Sequence, residues 1–282
     1  NPVLKISQYP VPEKMLRKIY DECDSILMLE DGYPYIERLL KGLLNNGKTI
    51  KGRLDGTVPR DGELDPNVVA RALGKEDVHG DDIPSLVTGR PPSMCKGCPH
   101  IDSYNAMNES LLKWAKGRVF SDIGCYTLGA LPPYNAINSC VDMGASVTMA
   151  KGAADAGLFP AVAVIGDSTF THSGITGLLD AVNDNSPITL VILDNATTGM
   201  TGGQQSSALG KIEDICAGVG VEKDHIRVIK PLKKHHDENV KVFKEELEYR
   251  GVSVIIPRRE CIQTLNKRMR QKFAKKKAEE AK

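Results

Sequence analysis

The chain has 282 residues, enough for one large α/β domain plus a smaller piece. With 41% hydrophobic and 26% charged residues it is neither disordered, collagen-like nor a coiled coil. Lys and Arg total 37 against 36 Asp and Glu, a net charge of +1, which gives no broad basic face for nucleic acid.

In chain order, Pro2–Ser7 reads as a short strand. Pro12–Cys23 has helical spacing and opens on Pro-Glu, which suits a first helical turn. Ser25–Leu29 is a second apolar run and Pro34–Leu44 a second helix. This unit has no room for a sheet of its own and reads, over residues 1–50, as the C-terminal remnant of a preceding α/β domain. Asn45–Asp65 is rich in Gly, Pro and charge, and residues 51–90 are assigned as linker, with a helix at Asn67–Leu73. The chain begins with Asn rather than Met, as a processed product or a piece of something longer would.

A denser region spans 91–262. Its clearest strands are Ala161–Gly166, Ile188–Asp194 and Val252–Ile256, with helices at Gly174–Asn183 and Lys241–Tyr249. Continuous apolar strands alternating with helices predict an α/β fold with a mostly parallel, doubly wound sheet. The tail, 263–282, is charged, with Lys267–Lys282 reading as a solvated helix. The apolar strands are far shorter than the about 20 residues a membrane helix needs, and residues 1–10 hold no signal-peptide pattern. Seven cysteines, an odd number in a long chain, argue against a disulfide scaffold and for a reducing cytoplasm.

The most informative stretch is Ala161–Gln204. One buried strand ends in Gly166-Asp167-Ser168 and the next in Asp194-Asn195-Ala196-Thr197. Asp167 and Asn195 lie 28 positions apart (195 − 167), the length of one β-α-β crossover, which places both at the same carboxyl edge of the sheet. Magnesium takes six oxygens. Asp167 offers a carboxylate oxygen, Asn195 an amide oxygen and Thr197 a backbone carbonyl, which leaves room for two diphosphate oxygens and a water. Gly166 lets the backbone come close, and N–H groups at the following helix start meet phosphate. A plain Gly-Asp turn after a strand is the alternative reading.

This GD-(S)-x26-N pattern resembles the thiamine diphosphate-binding motif, with Ser168 at its third position and Asp194 where the first of two Asn stands. RPPSMCKGCPH (90–100), SDIGCYTLGALPP (121–133), MGASVTMAKG (143–152), VIGDSTFTHSGITGL (164–178), VILDNATTGMTGGQ (191–204) and RRECI (258–262) follow in order. Together with VLKISQYPVPEK (3–14) and DGELDPNVVARAL (61–73), they resemble the large subunit of indolepyruvate:ferredoxin oxidoreductase, a branch of the 2-oxoacid:ferredoxin oxidoreductases.

The resemblance implies magnesium on Asp167, Asn195 and Thr197. It implies a cofactor pocket lined by Cys125, Tyr126, Thr127, Gly144, Ala145, Ser146, Gly166, Ser168, Thr169, Gly199, Met200 and Thr201. Met143–Ser146 resembles the loop beneath the thiazolium, though small residues there also suit helix packing. Ser168 or Thr169 is expected to cap the helix after Asp167. His100 is expected near the cofactor in a catalytic role, with a structural hydrogen bond as the alternative. His172 stands between a helix start and a substrate contact, and His235-His236 lies in a charged surface stretch.

Cys95-x-x-Cys98 alone fits a redox dithiol, half a zinc site or nothing. With Cys125 and Cys261 there are four thiols, enough for zinc or a [4Fe–4S] cluster, and the resemblance favours the cluster. Cys23, Cys140 and Cys216 are expected to be small buried apolar side chains. The family's usual His is Gly203 here, and its Pro is Gln205.

The resemblance further implies oxidative decarboxylation of an aryl 2-oxoacid, with coenzyme A taking the acyl group and ferredoxin the electrons. It implies a pyrimidine-binding domain that supplies a glutamate, and a small beta subunit. Neither that domain nor the usual ferredoxin-like segment lies within these residues. The same chemistry on pyruvate or another 2-oxoacid, and an inactive binding or assembly module, are the alternatives.

Overall fold

The computed structural model describes residues 2–42, 47–80 and 82–280, with side chains to Ala274. They form two compact units, residues 1–89 and 90–282. No described helix is long and apolar enough to cross a membrane.

In the first unit, α1 (Glu13–Glu22) leads into β1 (Ser25–Leu27), α2 (Tyr35–Lys41), β2 (Thr49–Lys51) and α3 (Pro66–Ala72). Pro2–Ser7, expected as a strand, is irregular because nothing pairs with it. The unit does carry a sheet of its own. Thr49–Lys51, which lies at the expected start of the linker, pairs in parallel with β1, with Ile50 buried opposite Ile26. Two residues of the second expected helix, Leu43 and Leu44, lie outside the described residues. Side-chain hydrogen bonds help to hold the linker stretch, in which Val58 and Val68 are buried. Arg53 is buried and donates to the carbonyls of Glu30, Pro59 and Gly62. Asp65 caps α3 by accepting from Asn67 N at 2.7 Å and Val68 N at 2.8 Å, ahead of Pro66 at the first helical position.

The second unit is built on a six-stranded, all-parallel sheet. Its strands are β3 (Val119–Ser121), β4 (Ser139–Cys140), β5 (Ala161–Gly166), β6 (Ile188–Leu193), β9 (Ile226–Ile229) and β10 (Ser253–Pro257), in spatial order β4-β3-β5-β6-β10-β9. A small antiparallel pair, β7 (Thr197–Thr198) and β8 (Gln204–Gln205), stands after β6. Every residue of β5 and β6 is buried, as a strand covered on both faces requires. Side chains alternate across the sheet. Ala161, Ala163, Ile165, Leu190, Ile192 and Val254 face one core, built with α5 (Ala145–Asp155), α7 (Ile175–Asn183) and α8 (Ile212–Gly218). Val162, Val164, Val191, Leu193 and Ile255 face the other, built with α4 (Pro99–Leu111) and α9 (His236–Glu248). The expected doubly wound parallel sheet is therefore present.

The local differences have physical causes. α9 starts five residues before the expected Lys241, with Asp237 and Glu238 in its first turn, where carboxylates oppose the helix dipole. His235 and His236 lie at the surface as expected, partly covered and paired with Glu238 and Glu109. α10 (Ile262–Glu280) is the expected charged helix, exposed from Asn266 through Ala274. Of the three cysteines expected to be buried, Cys216 is; Cys23 is half-buried, and Cys140 is exposed because it ends the edge strand β4.

Candidate functional site

The site gathers at the carboxyl ends of β3, β5 and β6. β5 and β6 pair in register from Ala161 opposite Ile188 to Gly166 opposite Leu193, so Asp167 and Asn195 emerge side by side at one edge. From Asp167 the chain turns straight into α6 (Asp167–Thr169), then a π turn (Phe170–Gly174) and α7. π turns recur at functional positions.

Asp167 is 3% exposed. Its Oδ1 accepts from Ser168 N at 2.9 Å. Its Oδ2 is the one buried side-chain oxygen or nitrogen without a hydrogen-bond partner among the described residues. Burial, with Asp194 close by as a second carboxylate, pushes its carboxyl up to about 6. A buried carboxylate oxygen with no donor suits a cation, the ligand expected here. Neither hydroxyl expected to cap the helix does so. Ser168 Oγ lies 2.7 Å from Thr198 Oγ1 and donates to Ser206 Oγ at 3.2 Å, while Thr169 Oγ1 donates to the Ile123 carbonyl.

Asn195 is 4% exposed and held on three sides. Its Oδ1 accepts from Thr197 N at 3.1 Å, and its backbone carbonyl accepts from Cys261 N at 3.1 Å. Its Nδ2 lies 3.3 Å from His100 Nε2 and 3.9 Å from Cys125 Sγ. Ala196 takes a positive φ of 63°, the turn that swings the chain from β6 into β7. Thr197 is buried, and its Oγ1 donates to the Gln204 carbonyl at 2.8 Å.

A residue absent from the sequence expectation organises the neighbouring loops. Asp122, fully buried after β3, accepts from Gly144 N at 3.1 Å, Ser146 N at 3.4 Å, Ser146 Oγ at 2.6 Å and the Tyr126 hydroxyl. Burial raises its carboxyl above the ordinary range. The Tyr126, Gly144 and Ser146 expected around a cofactor thus converge on one carboxylate, which anchors the start of α5. Thr127 closes the same turn, accepting from Gly124 N at 3.0 Å and donating to the Asp122 carbonyl at 2.7 Å. Ala145 N bonds the Asp142 carbonyl at 3.2 Å. The Tyr126 ring lies so close that a Cβ on Gly166 would fall 2.5 Å from it.

Gly144 has φ +93°, and a Cβ there would meet Ser173 Oγ at 2.4 Å. We expect Gly144→Ala to lose about 2 kcal/mol of stability through left-handed strain and overpacking. Chemical denaturation checks this; an unchanged midpoint and slope would contradict the role given to this turn. Ser173 Oγ donates to the Met143 carbonyl, and the exposed His172 lies with its Nδ1 3.0 Å from Ser173 Oγ.

On the far side of Asn195 lies a cavity of about 340 Å3. Cys95, Cys98, Cys125 and Cys261 all line it, with His100, Asn195, Gly199 and Met200. Thr201 is exposed and not among the lining residues. Burial pushes the thiols of Cys98 up to about 11 and Cys125 up to about 12, with the neighbouring thiols adding to both. Among the described residues no three His, Cys, Asp or Glu side chains close on a single ion. The four thiols share the lining of one cavity, and thiolates are the donors that iron–sulfur groups take. His100 is 3% exposed, and burial pushes its imidazole down to about 4, so the ring is neutral. Gly203, at the cavity wall, takes φ +75°, a conformation that favours glycine over a side chain such as the His expected from the resemblance.

Behind the site, Arg258 donates to Asp194 Oδ2 at 2.6 Å and to both Glu213 oxygens at 2.7 and 2.6 Å. This pins the segment after β10 beside that after β6.

Residues 122–256 match the family described as thiamine pyrophosphate enzyme, C-terminal TPP binding domain. The indolepyruvate oxidoreductase subunit IorA of Archaeoglobus fulgidus is 34% identical over 92% of this chain and 45% of that protein. The chain is thus similar to IorA subunits along nearly its whole length. The IorA subunit of Methanothermobacter thermautotrophicus is likewise 34% identical, over 93% of this chain and 45% of its own length. The chain thus spans about half the length of the curated IorA relatives it matches. The solved 2-oxoglutarate:ferredoxin oxidoreductase from Magnetococcus marinus, with 2-oxoglutarate, coenzyme A and succinyl-CoA bound, superposes with TM-score 0.52 at 17% identity. It covers 62% of this chain and 66% of that one, a likeness of fold.

Proposed function

We propose that this chain supplies the diphosphate and magnesium half of a thiamine diphosphate site in an oxidoreductase that decarboxylates aryl 2-oxoacids of the indolepyruvate type. The observation that carries this is the unpartnered, buried Asp167 Oδ2 beside Asn195, at the carboxyl edge where β5 and β6 end. Asp167 Oδ2, Asn195 Oδ1 and the Thr197 carbonyl would hold Mg2+ and, through it, the diphosphate. Thiamine diphosphate supplies the electron sink that lets a 2-oxoacid lose carbon dioxide.

The chain's own residues do the rest by orientation. Asp122 fixes the Tyr126 and Gly144–Ser146 loops, and Gly166 leaves space where any side chain would strike Tyr126. His100, neutral and buried, stands between Asn195 and Cys125. Cys95, Cys98, Cys125 and Cys261 would hold a [4Fe–4S] cluster that accepts electrons singly and passes them to ferredoxin, coenzyme A taking the acyl group. The names of the IorA relatives support the indolepyruvate substrate, and the lining of the cavity by all four thiols supports the cluster. A pyrimidine-binding domain and a small beta subunit would complete the enzyme, in the cytoplasm.

Iron and acid-labile sulfide on anaerobically purified protein test the redox half of this reading. About four of each per chain is expected; zinc in their place would make the cysteines structural. Turnover of indolepyruvate against pyruvate by the chain joined with its partners tests the substrate. Preference for pyruvate would overturn the aryl assignment, and thiamine diphosphate binding without any turnover would favour an assembly module.

A further inference from the structure

We propose that α10 is the docking face for an acidic electron-carrier protein of the ferredoxin class, which it seats beside the four-cysteine cavity. This rests on the reading of the cysteines as a cluster site.

The helix grows out of the cavity wall. Cys261 stands immediately before it, and Leu265 N donates to the Cys261 carbonyl at 3.0 Å. Ile262, Gln263, Thr264 and Lys267, from its first two turns, line the cavity with the four cysteines. From Asn266 to Ala274 every residue is exposed. Over Ile262–Ala274 the sequence carries four cations, Lys267, Arg268, Arg270 and Lys272, and no carboxylate, in a chain whose net charge is only +1. Arg268 pairs with Glu260, and the other three make no ion pair among the described residues.

The cations flank an apolar line. At about 100° per residue, Ile262, Leu265, Met269 and Phe273 fall on one stripe of the helix. The stripe is partly buried at Ile262 and Leu265 and bare farther on, where Met269 is 46% and Phe273 67% exposed. Lys267 and Arg270 stand on one side of it, Arg268 and Lys272 on the other. An apolar centre with a polar rim is the anatomy of a protein interface, and Met, aromatic residues and Arg are the types enriched there. Electron-transfer encounters are small and weak, so a short face suffices, and opposite charge steers the partners together. The narrowness of the stripe and its continuity with the cavity favour a carrier protein over a lipid surface. The docked carrier's iron–sulfur centre is reduced by the one electron that the four-cysteine site gives up, and no atom or proton is exchanged.

Fluorescence anisotropy of a labelled bacterial two-cluster ferredoxin, oxidised and strongly negative, tests this against the full 282-residue chain purified anaerobically. Binding is expected at about 0.05 M salt with a dissociation constant on the order of micromolar, and about 10-fold weaker at about 0.5 M. Arg270→Glu combined with Lys272→Glu weakens it about 10-fold at the lower salt. Lys116→Glu combined with Lys244→Glu changes the net charge equally and leaves it within about 2-fold. Both lysines are exposed and lie outside α10, Lys116 ahead of β3 and Lys244 on α9. Phe273→Ser weakens binding about 3-fold at either salt concentration, which a face acting by charge alone would not show. The α10 substitutions all fall at exposed positions, so folding does not confound them. No binding at low salt, an equal loss in the two charge-reversed pairs, or an affinity unmoved by Phe273→Ser overturns the proposal. So does a chain that ignores the ferredoxin and binds vesicles of phosphatidylserine and phosphatidylcholine through the same α10 residues. Iron content of the same samples separates the two readings. A chain that holds iron but fails these binding tests overturns the docking face and leaves the cluster. A chain without iron that passes them overturns the cluster reading and leaves the docking face.

Discussion

Asp167→Asn is expected to abolish Mg2+-dependent thiamine diphosphate binding while making the free protein more stable at pH 8. The carboxyl sits at about 6 in the folded chain against an ordinary 3.8, because burial penalises its charge. A raised carboxyl favours the fold only while it is protonated. The stability is fully present below about pH 3.8 and is lost as pH rises through about 6. The shift corresponds to about 3 kcal/mol at pH 8. The amide removes this charge but buries its own N–H2, which leaves a gain of about 2 kcal/mol. The gain should shrink at pH 5, where Asp167 is itself largely protonated. Urea denaturation of both proteins at pH 5 and pH 8 reads the difference. A variant less stable than wild type at pH 8 would contradict an uncompensated charge at Asp167. The destabilising group is the one the cation needs, and Mg2+ should stabilise the wild type but not the variant.

Arg258→Ala should act in the opposite direction and harder. Asp194 is 3% exposed and Arg258 is its ion-pair partner, at 2.6 Å. Removing the guanidinium strands a buried carboxylate beside Asp167, and it also releases Glu213. Breaking a buried pair costs about 3–5 kcal/mol, and the lower end applies because Arg258 is itself partly exposed. Thiamine diphosphate affinity should fall too, since the Arg259 and Cys261 N–H groups hold the Asp194 and Asn195 carbonyls from the segment that Arg258 anchors. A loss below about 1 kcal/mol would mean that the ion pair is a surface contact.

What the sequence made legible follows from the range of the interactions involved. β5 and β6 were readable because six consecutive buried residues leave an apolar run, and the Asp167–Asn195 spacing then placed both at one edge. β3, β4 and β9 were not singled out, since strands of two to four residues leave no pattern to read. Thr49–Lys51 carries no local strand signal, because it is only three residues long and its partner β1 lies 24 positions away (49 − 25). Asp122 was missed for a similar reason. Its role exists only when Gly144 and Ser146, more than 20 positions away, bring their N–H groups to it. The Asp194–Arg258 pair joins residues 64 positions apart and has no local signature. The four cysteines were gathered by resemblance and not by spacing, and the fold brings all four to one cavity wall.

The central claim is that this chain's half-site takes magnesium and a diphosphate at Asp167. Calorimetric titration of the chain with thiamine diphosphate, with and without Mg2+, tests it most directly. Saturable binding that requires Mg2+ and vanishes in Asp167→Asn is the predicted result. Binding of equal strength without Mg2+, or retained in Asp167→Asn, would contradict it.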